Sequence, residues 1–227
     1  MKPAIIVSGH GPGISDAVAR RFGREGHPVA IVARSRDRLA TAAAALGQAG
    51  VKAQAFACDL GDVAAVTRMV ADVRAALGPV GVVHWNAYQG GAGDLLAAPD
   101  ELRGVLDVAV HGLLAAVRAA RADLIATKGS VLVTGGGFAF YDPQVDAMAT
   151  QWGAMGLAVG KAAQHKAVGL LHQQLAKDGV FVGEVVVTGM VKGTAFDHGN
   201  ATLEPSAIAD RFWDVAAARK DATVTFG

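Results

Sequence analysis

The sequence predicts a single α/β domain over residues 1–227, in which helices cover both faces of a doubly wound parallel sheet. Three observations favour this fold class. Short apolar runs alternate with longer amphipathic stretches, the short runs are apolar almost throughout, and no linker or internal repeat divides the chain. Strands that are apolar on both faces are typical of parallel sheets buried between two helical layers. We therefore expect right-handed crossovers between successive strands.

The predicted strands are rich in Val, Ile and Ala and end at Gly, Asp, Asn or Ser. They are Ala4–Ser8, Val29–Ala33, Ala53–Ala57, Gly81–Asn86, Ser130–Thr134 and Val180–Val187. The predicted helices carry apolar residues at helical spacing, and glycines end several of them. They are Ile14–Glu25, Arg36–Ala49, Val63–Leu77, Glu101–Ala126 and Leu157–Lys177. Residues 189–221 show a less regular pattern, and we expect them to lie beside a ligand crevice.

Composition and charge exclude several classes of function. The formal net charge is +1 with dispersed basic residues, so the chain lacks the electrostatic footprint of a nucleic-acid-binding protein. No apolar run is long enough to span a membrane, and no signal-peptide pattern follows the first residues, so we expect a cytoplasmic protein. The single cysteine, Cys58, is expected to be a core residue, and no cluster of residues with metal-ligand spacing is present.

A glycine-rich turn follows the first predicted strand. Gly9, Gly11 and Gly13 precede a helical pattern that begins at Ile14. Glycine permits a tight turn and lets backbone approach a pyrophosphate, while the helix N-terminus offers free N–H groups. The strand–turn–helix context predicts a Rossmann-type dinucleotide site, and a purely structural turn is the alternative.

The end of the second predicted strand bears on which dinucleotide binds. A site that prefers NAD usually places a carboxylate here, but the sequence reads Ala33-Arg34. A guanidinium in this place would pair with a 2′-phosphate. We therefore predict NADP rather than NAD as the cofactor, with a solvated arginine at a helix start as the alternative.

These features resemble the short-chain dehydrogenase/reductase family over about residues 4–194. The family's glycine motif, TGxxxGxG, is represented by Ser8, Gly9, Gly13 and Ser15, with Ser15 in place of the last glycine. The family's later motifs follow in the same order, at Asp59-Leu60, Asn86-Ala87 and Lys161. The resemblance implies that cofactor contacts come from Gly9, Gly11, Gly13, Ile14, Arg34, Asp59, Leu60, Asn86, Ala87, Lys161, Gly189 and Thr194.

The family's proton-transfer residues are mostly replaced in this sequence. The resemblance implies an Asn, Ser, Tyr and Lys tetrad, yet the first three positions hold Ala109, Gly136 and Leu157. Only the lysine is kept, as Lys161. Because Leu157 has no ionisable proton, the family's usual route of ketone reduction is predicted to be lost. Lys161 is still expected to hydrogen-bond the nicotinamide ribose, with a helix-surface lysine as the alternative.

Other residues are candidates for the missing proton donor. Tyr141 and Tyr88 follow predicted strands at the ends where ligands bind, and Tyr141 is our candidate catalytic residue alongside Lys161. His84 is expected to be a core histidine, and His111 is a weaker candidate. The stretch Asp142–Gly156 is a candidate lid or pocket wall, with a surface insertion as the alternative.

The sequence thus predicts an NADP-dependent oxidoreductase with an altered proton route and an unidentified small-molecule substrate. A non-catalytic protein that binds NADP as a sensor or scaffold is the alternative, and non-redox chemistry such as elimination on the same scaffold is a third reading. We also predict a homo-oligomer, either a dimer or a tetramer, because the helix from Leu102 carries a wide apolar stripe. Its residues are Val105, Leu106, Ala109, Leu113, Ala116, Val117 and Ala120, and the alternative is that the whole stripe faces its own sheet.

Overall fold

The computed structural model describes residues 2–96 and 99–227. In these residues seven parallel strands form one sheet in the order β3-β2-β1-β4-β5-β6-β7. The chain reverses its direction of winding between β1 and β4, which is the point where a doubly wound sheet forms a crevice. The strands are β1 (Ala4–Ser8), β2 (Val29–Ala33), β3 (Ala53–Ala57), β4 (Val80–Trp85), β5 (Ser130–Gly136), β6 (Phe181–Val187) and β7 (Thr223–Phe226).

Helices cover both faces of this sheet. They are α1 (Ile14–Arg24), α2 (Arg36–Gln48), α3 (Val63–Leu77), α4 (Pro99–Leu106), α5 (Leu113–Thr127), α6 (Pro143–Gln151), α7 (Met155–Ala176) and α8 (Pro205–Ala218). A π-helical turn, Asp107–Gly112, joins α4 to α5. Within the described residues, no helix combines the length and apolar character that a bilayer crossing requires.

The fold class predicted from the sequence is confirmed, and all six predicted strands are present within a few residues of their predicted ends. Three elements were missed. The prediction of an irregular segment over residues 189–221 is wrong for its second half. Helix α8 begins there at Pro205, and β7 follows the helix. The candidate lid, Asp142–Gly156, contains helix α6. Asp142 caps this helix, because its side chain accepts hydrogen bonds from the backbone N–H groups of Gln144 and Val145.

Two apolar layers hold the helices against the sheet. One lies under α3, α5 and α7, and the other lies under α1, α2 and α8. The apolar stripe that we assigned to an oligomer interface belongs mostly to the first layer. Its buried members are Val105, Ala109, Leu113, Ala116, Val117 and Ala120, each at most 5% exposed. The stripe is therefore used within the monomer, and the argument that it needs a second chain is wrong.

Candidate functional site

The glycine turn between β1 and α1 is held to the neighbouring strand by backbone hydrogen bonds. The N–H groups of Gly9 and His10 both donate to the Val32 carbonyl, at 2.9 and 2.8 Å. Gly9 has a φ of +79°, and a Cβ atom there would lie 2.5 Å from the Ala87 Cα. Any other residue at position 9 would be strained and would clash with backbone. The turn after β1 and the segment after β4 therefore meet in direct contact.

Ser15, the residue that replaces the family's last glycine, fastens the same turn from inside. Its buried hydroxyl accepts a hydrogen bond from the Gly11 N–H at 3.1 Å and donates to the Gly9 carbonyl at 3.0 Å. The Asn86 side chain donates to the same hydroxyl at 3.3 Å. A serine in this place holds the turn to Asn86, so the departure from the family motif leaves the turn well ordered.

The remaining glycines of the turn differ in what they face. A Cβ atom added at Gly11 would meet no atom within 4 Å, so this backbone is open to a ligand. A Cβ atom at Gly13 would lie 2.7 Å from the Thr194 Cγ2. Gly13 is therefore needed for packing against the segment after β6, as well as for its φ of +94°. Ile14 is buried as the first residue of α1.

His10 was not singled out by the sequence analysis, although it lies in the glycine turn. Its side chain is buried, and its Nε2 atom lies 3.6 Å from the Asp16 Oδ1. Arg20 donates to the other carboxylate oxygen at 2.7 Å. The nearby His10 side chain is the main reason that the pKa of Asp16 is lowered, and Arg20 adds to it. The turn thus places a buried imidazole close to an ionised carboxylate.

Arg34 lies at the end of β2 and is exposed. Among the described residues its guanidinium has no hydrogen-bond or ion-pair partner, and Arg36 and Arg38 are exposed beside it. Ser35 caps α2 by accepting the Arg38 N–H at 3.4 Å, so the basic side chains flank a helix N-terminus. A positive dipole end with free guanidinium groups is suited to a phosphate.

The predicted contacts after β3 take different positions. The Asp59 carboxylate accepts the Gly61 N–H at 3.0 Å, so part of its hydrogen-bonding capacity is used within its own loop. Leu60 is buried, and its carbonyl oxygen would lie 2.0 Å from a Cβ atom at Gly112. Leu60 thus packs this loop against the π-helical turn.

Lys161 reaches the C-terminal end of β5 from α7. Its Nζ atom donates to the Thr134 carbonyl at 2.7 Å and to the Gln164 Oε1 at 3.0 Å. Burial lowers the pKa of Lys161 to about 8, and the nearby carboxylate of Glu184 opposes that shift. An ammonium group has three N–H donors, and two are used here. The lysine is therefore a fixed group with one donor left for a ligand.

Gln164 connects this lysine to the π-helical turn. It is fully buried, and its Nε2 atom donates to the Ala109 carbonyl at 2.9 Å. π-Helical turns widen a helix locally and often mark functional sites. Gln164, one turn after Lys161 on α7, thus links the lysine to Ala109, the position predicted for the family's Asn. The sequence analysis missed Gln164, because a polar residue at helical spacing carries no signal of what it faces.

Gly136 and Leu157, the positions predicted for the tetrad's Ser and Tyr, leave space beside the lysine. A Cβ atom at Gly136 would lie 3.9 Å or more from the Lys161 side chain, so a serine would fit there without strain. Leu157 and Lys161 together line a cavity of about 10 Å³, which is close to the volume that one water molecule needs. Its walls are Ala87, Tyr88, Gln89, Val105, Ala109, Leu157, Gly160 and Lys161.

The candidate proton donors lie in different environments. Tyr88 is 46% exposed, lines the cavity beside Lys161, and packs at a tilt on Phe196 with ring centroids 5.8 Å apart. Tyr141 is 98% exposed and has no hydrogen-bond partner among the described residues, so the structure does not bring it to the lysine. His111 contacts Asp107 at 2.7 Å on the outside of the π-helical turn. Tyr88 is thus the tyrosine that lines the Lys161 cavity.

His84 has the structural role that the sequence suggested. It is fully buried in β4, its Nε2 atom lies 3.3 Å from the Thr134 Oγ1, and its ring packs on Phe212. Burial lowers the pKa of His84 to about 3, so the ring is neutral.

The segment after β6 closes the crevice from one side. Thr194 donates from its hydroxyl to the Val191 carbonyl at 2.8 Å and packs on Gly13. Gly189 packs on Leu203, where a Cβ atom would lie 2.9 Å from the Cδ1 atom. The two predicted contact residues therefore lie on a segment that touches the glycine turn.

Comparison with known proteins agrees with this geometry. Residues 3–203 match the sequence model described as short chain dehydrogenase. A Streptomyces coelicolor protein described as a ketoacyl reductase is 33% identical over 186 residues, which are 79% of this chain and 67% of that protein. The meso-2,3-butanediol dehydrogenase of Serratia marcescens is 28% identical over 194 residues, or 83% of this chain and 73% of that one.

The solved structure of a metagenomic short-chain oxidoreductase in complex with NADP superposes with a TM-score of 0.80. It is 24% identical and covers 99% of this chain and 96% of that one. This structural likeness covers the whole fold, beyond the residues matched by sequence. From the match over residues 3–203 and the relative at 33% identity, the chain belongs to the short-chain dehydrogenase family.

Proposed function

We propose that the protein is an NADP-dependent oxidoreductase that delivers the substrate proton by a route other than a tyrosine at position 157. The observation that carries the cofactor choice is Arg34, an exposed guanidinium without a partner among the described residues, at the end of β2. The metagenomic relative that shares the fold is complexed with NADP, which supports the same choice. A hydrogen-bonded guanidinium–phosphate contact contributes about 1.5–3 kcal/mol.

The residues of the crevice fit a bound dinucleotide. The open backbone at Gly11 and the N-terminus of α1 would receive the pyrophosphate. Arg34 would hold the 2′-phosphate, and Asp59 would lie at the adenine end. Lys161 would direct its remaining N–H to the nicotinamide end of the cofactor. Ala87 and Thr194, which contact Gly9 and Gly13, would border the cofactor between these ends.

NADPH, when bound, supplies a hydride to a carbonyl carbon. The carbonyl oxygen then needs a proton, and Leu157 and Gly136 have none to give. The Lys161 ammonium, held by Thr134 and Gln164, is the ionisable group that the structure fixes at this place. We propose that it donates the proton directly or through a water molecule in the adjoining cavity.

A non-catalytic role, in which NADP is a structural or regulatory ligand, is favoured by the same replacements. Ala109, Gly136 and Leu157 remove three of the four groups of the family's tetrad. A positioned general acid contributes about 10²–10⁴-fold in rate, so their loss is a large effect. The two proposals share the cofactor site and differ only in whether the hydride is transferred.

Binding and turnover distinguish these proposals. NADPH titration with tryptophan fluorescence, repeated with NADH, measures the cofactor preference directly, and equal affinities would contradict the role of Arg34. NADPH oxidation is then measured against ketoacyl thioesters, diketones and secondary ketones. Slow but saturable turnover supports the oxidoreductase, whereas tight NADPH binding without turnover of any carbonyl supports the sensor.

We also propose that the protein is a cytoplasmic homo-oligomer, as members of this family commonly are. The apolar surface left for such a contact includes Leu114 on α5, which is 38% exposed, and Leu170 on α7, which is 61% exposed. Light scattering at micromolar concentration tests this, and a mass near 23.1 kDa would contradict it.

A further inference from the structure

Glu184 is a charged residue at the centre of β6, whose other residues are apolar. Its side chain is fully buried. The Oε2 atom lies 2.5 Å from the His165 Nδ1, while the Oε1 atom has no hydrogen-bond partner among the described residues. Burying a carboxylate costs several kcal/mol unless other groups compensate it. A residue this costly in a core strand indicates a role beyond packing.

The neighbouring strand leaves room for this carboxylate. A Cβ atom at Gly135 would lie 2.4 Å from the Glu184 Oε1, so a larger residue at position 135 would displace the Glu184 side chain. Gly135 directly follows Thr134, whose carbonyl accepts the Lys161 ammonium. The carboxylate and the lysine thus meet at adjacent residues of β5.

Helix α7 presents the partners of Glu184 on one face. Lys161 and His165 are four residues apart, so their side chains lie on the same side of the helix. His165 is 32% exposed, and its ring packs edge-on against Phe140. The histidine therefore connects a fully buried carboxylate with solvent, and the lysine lies one helical turn away toward the cofactor crevice.

The charges in this cluster act on one another. Burial raises the pKa of Glu184, and both His165 and Lys161 oppose that shift from α7. Its register neighbours on β5 and β7 are Val133 and Thr223, which bring no charge, although the Thr223 hydroxyl also lowers the pKa of Glu184. Glu184 in turn opposes the lowering of the Lys161 pKa.

We propose that Glu184 and His165 are positioning residues that set the charge of Lys161. The carboxylate keeps the lysine in its ammonium form, and the imidazole keeps the carboxylate ionised by hydrogen-bonding to it. Removal of Glu184 leaves Lys161 without its buried counter-ion, and removal of His165 makes that carboxylate easier to protonate. If the proposed NADP function holds, cofactor binding should weaken as pH rises, because Lys161 then loses its proton. Only this consequence rests on the proposed function.

The titration of Lys161 in the free protein tests this proposal without any cofactor. Protein labelled with ¹³C-lysine is followed by NMR from pH 6 to pH 11, and Lys161→Arg identifies the signal. In the wild type the midpoint is expected at about 8. Glu184→Gln should lower it by about one unit or more, because an opposite charge nearby is worth about 1–3 units.

His165→Ala should shift the same midpoint in the same direction, because Glu184 without its partner is more readily protonated. The matched control is His172→Ala. This histidine also lies on α7 and contacts β6, but its Nδ1 atom meets the Val182 carbonyl at 2.7 Å instead of a carboxylate. The control should leave the Lys161 midpoint unchanged. The double variant of Glu184 and His165 should shift it no further than Glu184→Gln alone.

An unchanged Lys161 midpoint in folded Glu184→Gln would overturn the proposal. If that variant does not fold, His165→Ala decides the question, because its side chain is partly exposed and easier to replace. NADPH affinity is measured over the same pH range. A shifted Lys161 without NADPH binding would refute the cofactor proposal alone. Normal NADPH binding with an unshifted Lys161 would refute the positioning role alone.

Discussion

The two halves of the crevice are held together in different ways. Around the glycine turn, Gly9 and Gly13 keep the positions that the family motif requires, and Ser15 replaces a glycine while fastening the turn. Around Lys161, the sequence predicts that the lysine is kept while its partners are replaced, and Gln164 links the lysine to Ala109. A surface built from backbone geometry tolerates few changes. Chemistry built from side chains can be rearranged without changing the fold.

The largest expected effect comes from the glycine turn. Gly9→Ala places a methyl group 2.5 Å from the Ala87 Cα in a backbone with φ +79°. Strain and overpacking together should lower the free energy of unfolding by about 2–5 kcal/mol. Urea denaturation measures this. The matched control is Gly11→Ala, which meets no atom and should leave unfolding nearly unchanged while weakening NADPH binding. Equal losses of stability in the two variants would contradict this account of the turn.

Arg34→Ala should remove the preference for NADPH over NADH. The expected loss in NADPH affinity is about 10- to 150-fold, from a charged hydrogen bond of about 1.5–3 kcal/mol, with little change for NADH. Fluorescence titration with both cofactors provides the measurement. Arg24→Ala, an exposed arginine near the end of α1, is the control and should bind both cofactors as the wild type does. An unchanged preference in Arg34→Ala would show that the 2′-phosphate is held elsewhere.

Gln164→Leu tests the rearranged half. Loss of this buried amide leaves the Ala109 carbonyl without its side-chain partner and removes one contact of Lys161. We expect the free energy of unfolding to fall by about 1–3 kcal/mol, which is the penalty for an unsatisfied buried group. Gln164→Glu keeps an acceptor for Lys161 and should lose less NADPH affinity than Gln164→Leu. If both variants bind NADPH like the wild type, Gln164 is only a packing residue.

The smallest expected effect is the return of the family's tyrosine. Leu157→Tyr alone should change NADPH-dependent carbonyl reduction by less than about tenfold, because groups that act as a unit are not additive. Adding Gly136→Ser and Ala109→Asn should raise the rate further, toward the 10²–10⁴-fold that a positioned acid provides. Initial rates of NADPH oxidation measure both. Full recovery by Leu157→Tyr alone would show that this half is less altered than we describe.

The fold could be predicted because the signals for it are local. Apolar runs and glycine ends appear in consecutive residues, and they located six strands and the glycine turn. The missed strand β7 has only four residues and alternates Thr with apolar residues at the sheet edge. Helix α8 begins at Pro205, in a stretch of mixed charge, where its packing on α1 and β6 is invisible from sequence.

The site was predicted less completely, since its key contacts are long-range. Lys161 and Gly136 were identified through the family resemblance, but the bond from Gln164 to Ala109 spans 55 positions. The sequence alone could have pointed to Glu184, because its carboxylate interrupts a predicted apolar strand. Its partner His165 and the glycine that accommodates it become evident only when the strand register is known.

The direct contact between Gly9 and Ala87 has a consequence for how fast the site engages its ligand. Since two backbone segments from β1 and β4 touch without space for a methyl group, the pyrophosphate end of the crevice is formed before any ligand arrives. Binding there loses little conformational entropy of the protein, and a preorganised site binds more tightly for this reason. Association at this end should follow simple second-order kinetics.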